Sequence, residues 1–147
     1  MYIISACLVG ENCKYNGGNN RCQWVVDFAE NHSHVLVCPE TEGGLEAPRP
    51  PAEIVGDKVI NSEGKDVTAE FYGGAECSYN RAVAAAEAAG EPLEGAILKA
   101  KSPSCGRDRI YDGTFSKTLT DGDGLFVRLM KKDNIKVITE KENIEND

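Results

Sequence analysis

Three strand-length apolar runs, residues 2–6, 34–37 and 95–99, each break off into a turn-prone segment that carries a cysteine: "IISACLVG", "VLVCPETEGG" and "AILKAKSPSCG". Short apolar runs bounded by small and polar residues read as buried strands. Between the first two, Asn20 is placed to cap a helix that puts Trp24, Val25, Phe28 and Ala29 on one face. A strand, a helix and a second strand in that order form a crossover, which lays the two strands parallel. The cysteines then fall at one edge of one sheet.

The remainder fits around that sheet. Residues 39–53, "PETEGGLEAPRPPAE", hold too much Pro and Gly for regular structure over much of their length. Residues 52–60 read as a hairpin turning at Gly56 and Asp57. Asp66 is placed to cap a helix that runs to Ala89 and stops at Gly90, with Val67, Phe71, Ala75, Ala82 and Ala86 at helical spacing. Gly73 and Gly74 weaken that helix locally and suit close packing against the sheet. Residues 124–132 predict a further helix and 135–138 a fourth strand. From about residue 139 the polar, acidic end predicts a frayed tail or a short exposed helix. The expectation is one α/β domain over 1–147: a mainly parallel, Rossmann-like sheet flanked by helices, with a small β-hairpin insertion.

Composition narrows the partners. A net charge of -8 argues against a large contact with a phosphate backbone, so a small molecule is expected and transfer RNA is not. The longest apolar runs fall far short of the roughly 20 residues a membrane helix needs. The N-terminus lacks a charged region followed by an apolar signal core, so a cytoplasmic protein with no membrane partner is expected.

In a reducing compartment the six cysteines, Cys7, Cys13, Cys22, Cys38, Cys77 and Cys105, point to metal binding or catalysis rather than to disulfides. No CxxC pair occurs, which argues against an ordinary zinc ribbon and leaves the fold to gather any ligands.

Parallel strands put Cys7, Cys38 and Cys105 just beyond carboxyl ends, where open α/β sheets gather their ligand sites. Three thiolates brought together there repel one another unless a cation or cluster lies between them. Two centres suit three ligands. An iron–sulfur cubane, ordinarily held by four cysteines, is left with one open iron that acts as a Lewis acid. Zinc with three protein ligands and a water is the other, although His32 and His34 lie at the wrong end of the second strand. Cys22 and Cys77, within helical patterns, read as small buried hydrophobes. Cys13 stays open between a fourth ligand, a resolving thiol and a bystander.

At "SACLVGENCKYNGG", "VCPETEGGLEAPRPPAE" and "LKAKSPSCG" the sequence resembles the 2-thiouracil desulfurase, or TudS-like, family, from the first strand to about Gly113 and more loosely beyond. The resemblance implies a 4Fe-4S cluster held by three cysteines, matched here by Cys7, Cys38 and Cys105, whose open iron takes the sulfur of a thiolated base or nucleoside. It implies two catalytic residues: Glu40 of the Cys-Pro-Glu segment, and a serine of the Ser-Pro-Ser-Cys segment, Ser102 first and Ser104 second. The implied reaction is non-redox desulfuration of a thiolated pyrimidine such as 2-thiouracil to the oxo base and hydrogen sulfide. Glu40 would activate a water or move protons to the departing sulfur.

Each of these residues has a plainer reading. Glu40 can cap or solvate its loop, and serines flanking Pro103 serve turns. Gly43 and Gly44 allow a positive φ or a close approach, and Arg49 can pair with Glu40 or Glu53. Strand alternation puts at most one of Lys99 and Lys101 toward the site. The rival functions are a non-catalytic iron–sulfur or zinc-binding protein, acting as sulfur carrier or sensor, and a thiol redox protein working through Cys7 and Cys13.

Overall fold

In the computed structural model, which describes residues 1–142, the elements follow the chain as β1 (Tyr2–Ser5), α1 (Gln23–Asn31), β2 (His34–Val37), α2 (Pro39–Glu42), β3 (Ala52–Val55), β4 (Lys58–Asn61), α3 (Thr68–Ala89), β5 (Gly95–Leu98), β6 (Arg109–Tyr111), β7 (Leu119–Asp121), α4 (Leu125–Lys132) and β8 (Val137–Thr139). The apolar runs pair in the order β2-β1-β5-β8, all parallel, with Tyr2 opposite both His34 and Gly95 and Ala96 opposite Val137. Helices cover both faces of this sheet. Ile4 and Ile97 pack with Val25 and Phe28 of α1 on one side, while Ile3, Val37 and Leu98 pack with Ala82, Phe126 and Met130 of α3 and α4 on the other. Burial on both faces explains why β1 and β5 read as continuous apolar runs instead of alternating. Full burial of one such side chain stabilises the fold by about 1.5–3 kcal/mol, so the sheet and its helices hold the site edge rigidly.

The chain leaves β1 for β2 on one side and returns to β5 on the other. That reversal puts the switch in strand order at the carboxyl end of β1, where crevices form.

Several local details differ from the sequence reading. Asn20 does not cap α1. Cys22 takes the N-cap position without a side-chain bond, and the Asn20 amide donates instead to Cys7 Sγ at 3.5 Å. Asp66 is not the N-cap of α3 either; Val67 takes that position without a side-chain bond, and Asp66, one residue earlier, accepts from Thr68 N at 2.9 Å. The helix runs unbroken through Gly73 and Gly74. Gly74 packs against α2 rather than the sheet: a Cβ there would sit 1.7 Å from the Pro39 carbonyl oxygen, and one on Gly43 2.0 Å from that of Glu70. The Pro- and Gly-rich stretch opens with one helical turn, α2, with Pro39 at its first position, where the missing N–H costs nothing.

The hairpin expected over 52–60 forms as β3 and β4, Ala52 opposite Asn61, and β6 with β7 forms a second, separate antiparallel pair. The chain is also not frayed at residue 139. Thr139 closes β8, Glu140 Oε1 accepts from Ala100 N at 2.7 Å, and the Glu140 carbonyl accepts from Trp24 Nε1 at 3.0 Å. The rest of the expected tail, 143–147, lies outside the described residues. Among the described residues no helix is long and apolar enough to cross a membrane.

Candidate active site

Each cysteine expected at a strand end sits on a short, tightly held turn. Beyond Ser5 the chain winds into a single 3-10 turn, Ala6–Val9, closed by Gly10 at φ 101, and this turn carries Cys7. Beyond Val37, Cys38 is the N-cap residue of α2, in extended conformation. Beyond Leu98 the chain reverses at Lys101, φ 73, and enters a turn in which Ser102 Oγ accepts from Cys105 N at 2.7 Å. The start of α4 clasps that turn, with Leu125 N donating to the Pro103 carbonyl and Phe126 N to that of Ser104, both at 2.9 Å.

Cys7, Cys38 and Cys105 line a single cavity of about 500 Å³ together with Cys13, Glu40 and Arg49. All six cysteines are free; Cys105 is buried and Cys7, Cys13 and Cys38 are half-buried. Hydrogen bonding from the Cys13 thiol lowers the Cys38 pKa to about 6 against the opposing effect of burial, with Thr41 Oγ1 3.1 Å from the sulfur. The same Cys13 thiol lowers Cys7, with Asn20 assisting against burial. Cys13, hydrogen-bonded first to Cys38 and then to Cys7, is held protonated. Burial pushes Cys105 up to about 12. Cys38 and Cys7 are therefore biased toward the thiolate, while Cys105 is in a place where coordination must displace its proton.

Beside the cysteines, Ser104 Oγ donates to Glu40 Oε2 at 2.9 Å, and Arg49 Nε meets Glu40 Oε1 at 3.3 Å with both side chains largely buried. Arg49 also donates to the Leu45 carbonyl at 3.0 Å and the Cys13 carbonyl at 2.9 Å, tying the loop after Cys7 to α2. Of the two partners expected for Arg49, the structure selects Glu40. Glu53 instead accepts from Gly113 N at 3.0 Å and Phe115 N at 3.2 Å. Ser102, the first-choice serine, supports the Cys105 amide and lies 3.4 Å from Ser104 Oγ, so Ser104 is the one that reaches Glu40.

Lys99 and Lys101 both line the cavity. The alternation rule fails because β5 has ended and Lys101 has turned to positive φ. Lys99 Nζ pairs with Glu140 Oε2 at 3.1 Å. Gly44 adopts φ 95 as expected of one glycine of its pair, whereas Gly43 serves close approach. Cys22 is half-buried against the α1 side of the core, but Cys77 is exposed on α3 and is not a buried hydrophobe. His32 stacks on Phe28 with ring centroids 3.8 Å apart, away from the cavity. Among the described residues, no three His, Cys, Asp or Glu side chains gather as a single metal ion requires.

The sequence reading missed the aromatic wall. Tyr15, Tyr111 and Phe115 also line the cavity, and no local signal placed them there.

A family model described as 2-thiouracil desulfurase matches residues 2–142. "Uncharacterized protein YbbK" of Bacillus subtilis (strain 168) is 36% identical over 154 residues, covering 97% of this chain and 97% of the relative. A solved structure of the 4Fe-4S-dependent thiouracil desulfidase TudS is 38% identical and superposes with a TM-score of 0.84, covering 98% of this chain and 93% of that one.

Proposed function

The chain belongs to the 2-thiouracil desulfurase family, and we propose that it is a 4Fe-4S-dependent desulfidase converting a small thiolated pyrimidine base or nucleoside, such as 2-thiouracil, to the oxo base and hydrogen sulfide. The observation that carries this reading is the convergence of Cys7, Cys38 and Cys105, from three adjacent strand ends, on one cavity that also holds Glu40 and Ser104. The activity of the TudS neighbour supports it, and so does the cavity volume of about 500 Å³, which is in the range of small-molecule sites.

The donor set suits the cluster. Three thiols line one cavity, and no disulfide ties any of them up. A cubane held by Cys7, Cys38 and Cys105 supplies, when bound, an open iron that acts as a Lewis acid toward the thiocarbonyl sulfur.

The protein's own groups manage the water and the protons. Arg49 fixes one oxygen of Glu40, leaving the other toward Ser104, where it can take a proton from an attacking water. The water's hydroxyl adds to the ring carbon, and the proton held by Glu40 passes to the sulfur. The carbon–sulfur bond breaks with its electron pair leaving on hydrosulfide, and the added hydroxyl gives up its remaining proton to solvent as the oxo group forms. Ser104 Oγ, within reach of both Glu40 and Cys105 Sγ, is placed to relay the proton back. No electron is gained or lost overall. Ser102 is the positioning residue that holds the Cys105 amide.

The test is anaerobic turnover of 2-thiouracil by the reconstituted protein, following uracil and sulfide, beside Glu40→Gln. Stoichiometric uracil and sulfide from the wild type, with the variant inactive but its cluster intact, is the expected result. A loaded protein that releases neither product would leave a carrier or sensor in place of an enzyme.

A further inference from the structure

The cysteines, Glu40 and Ser104 account for the sulfur and the edge of a thiolated pyrimidine, but not for its two flat faces. Phe115 is 41% exposed and lines the same cavity. It lies in the tip joining β6 to β7 with φ 57, a left-handed conformation that bulky residues rarely adopt. The tip is also tightly anchored. Glu53, a buried carboxylate of β3, uses one oxygen to accept from both Gly113 N at 3.0 Å and Phe115 N at 3.2 Å. Gly113, at φ 91, brings the tip so close to β3 that a Cβ would sit 2.7 Å from the Ile54 carbonyl oxygen.

A buried carboxylate and a close backbone approach thus hold in place a ring that has no polar atom of its own and little packing around it. Tyr15, equally exposed at 41%, carries Lys14 Nζ 5.7 Å from its ring centre, so one of its two faces is engaged. Phe115 has no such neighbour among the described residues.

We propose that Phe115 is the base-stacking residue of this site, with Glu53 the positioning residue that holds it there. This rests on the thiolated-pyrimidine reading above. Aromatic stacking on a base tolerates changes of ring substituent, because every base presents a π-face. Phe115 would therefore set affinity for the heterocycle while leaving the sulfur chemistry to the other wall.

The experiment compares the cluster-loaded wild type with F115L, F115W and E53A, measuring 2-thiouracil kinetics, calorimetric binding of uracil, and the visible spectrum of the cluster. Leucine keeps the apolar bulk and removes the π-face. F115L is expected to raise KM and weaken uracil binding by on the order of tenfold, with the spectrum unchanged, and F115W to restore both. E53A is expected to shift KM in the same direction as F115L. Wild-type turnover with F115L indistinguishable from it in KM and uracil affinity would overturn stacking alone. A loss in F115L that tryptophan does not restore would likewise overturn it. A wild type that neither binds uracil nor turns over 2-thiouracil would overturn the desulfidase reading, and this inference with it.

Discussion

Ser104 donates its hydroxyl to Glu40 Oε2 at 2.9 Å, joining residues 64 positions apart in the chain. Ser102, two residues earlier, accepts from the Cys105 amide instead. The two serines should therefore fail differently. Ser104→Ala and Glu40→Gln remove the proton path and should lower kcat by on the order of 10²- to 10⁴-fold, with iron content unchanged. Ser102→Ala should lower iron retention on dilution or mild chelation, since it frees the turn that presents Cys105, a ligand under the proposed function. Parallel measurement of kcat and iron per chain separates these outcomes, and equal iron loss in both serine variants would contradict the division of labour.

Gly74 and Gly73 are adjacent in the same helix and should respond oppositely to alanine. A Cβ on Gly74 would meet the Pro39 carbonyl oxygen at 1.7 Å, whereas one on Gly73 meets nothing within 4 Å. Gly74→Ala must push α2 away, and with it Cys38 and Glu40. It should cost about 1–3 kcal/mol or more, as overpacking does, and reduce cluster loading. Gly73→Ala should be neutral or stabilising by up to about 1 kcal/mol through helix propensity. Thermal melts of the two variants give the comparison.

Glu42 joins the end of β2 to α3. It accepts from Cys38 N at 3.0 Å, from Ser78 Oγ at 2.5 Å and from Arg81 Nε at 2.7 Å. Burial pushes its pKa up, but the hydrogen bonds from Arg81, Ser78 and the Cys38 amide outweigh burial and hold it below the ordinary 4.5. A depressed folded-state pKa gives stability that is fully present above the unfolded value and lost as pH falls through the folded one. Denaturant midpoints followed by far-ultraviolet dichroism should thus fall below about pH 4.5 in the wild type. Glu42→Gln should be less stable at pH 7 and show a shallower acid decline. A variant with an unchanged acid slope would assign that slope to other carboxylates.

Much of this architecture was legible locally. β1 and β5 are buried on both faces, and edge strand β2 on one face with the other half-covered, so their apolar runs stood out. The crossovers made them parallel, and parallel strands put Cys7, Cys38 and Cys105 at one edge. What could not be read depends on contacts between distant segments. The choice of Ser104 over Ser102 needs the approach of α2 to the turn before Cys105. The fit of Gly74 to Pro39 needs the packing of α2 on α3. β6 and β7, three residues each, are too short to carry a period. Lys101 gave no sign of its positive φ, since lysine has no special preference for that region, and so both Lys99 and Lys101 reach the cavity. Glu140 looked like the start of an acidic tail because nothing local revealed that Ala100, Lys99 and Trp24 would hold it.

Cys13 decides how many thiolates the site contributes. Cys13 lines the same cavity as Cys7 and Cys38, but it stands on the loop beyond the Cys7 turn and not at one of the three strand ends, and its neighbours Cys38 and Cys7 push its pKa up. Anaerobic reconstitution should therefore load Cys13→Ala with about four irons and four sulfides per chain, the content of one cubane. Alanine at Cys7, Cys38 and Cys105 together should abolish loading. Zinc as the only metal retained by the wild type would contradict the cluster assignment. Loss of the cluster in Cys13→Ala would make Cys13 a fourth ligand and close the iron position that the desulfidase mechanism requires. With Cys13 dispensable for loading, the three strand-end cysteines suffice and that position stays free for the substrate's sulfur.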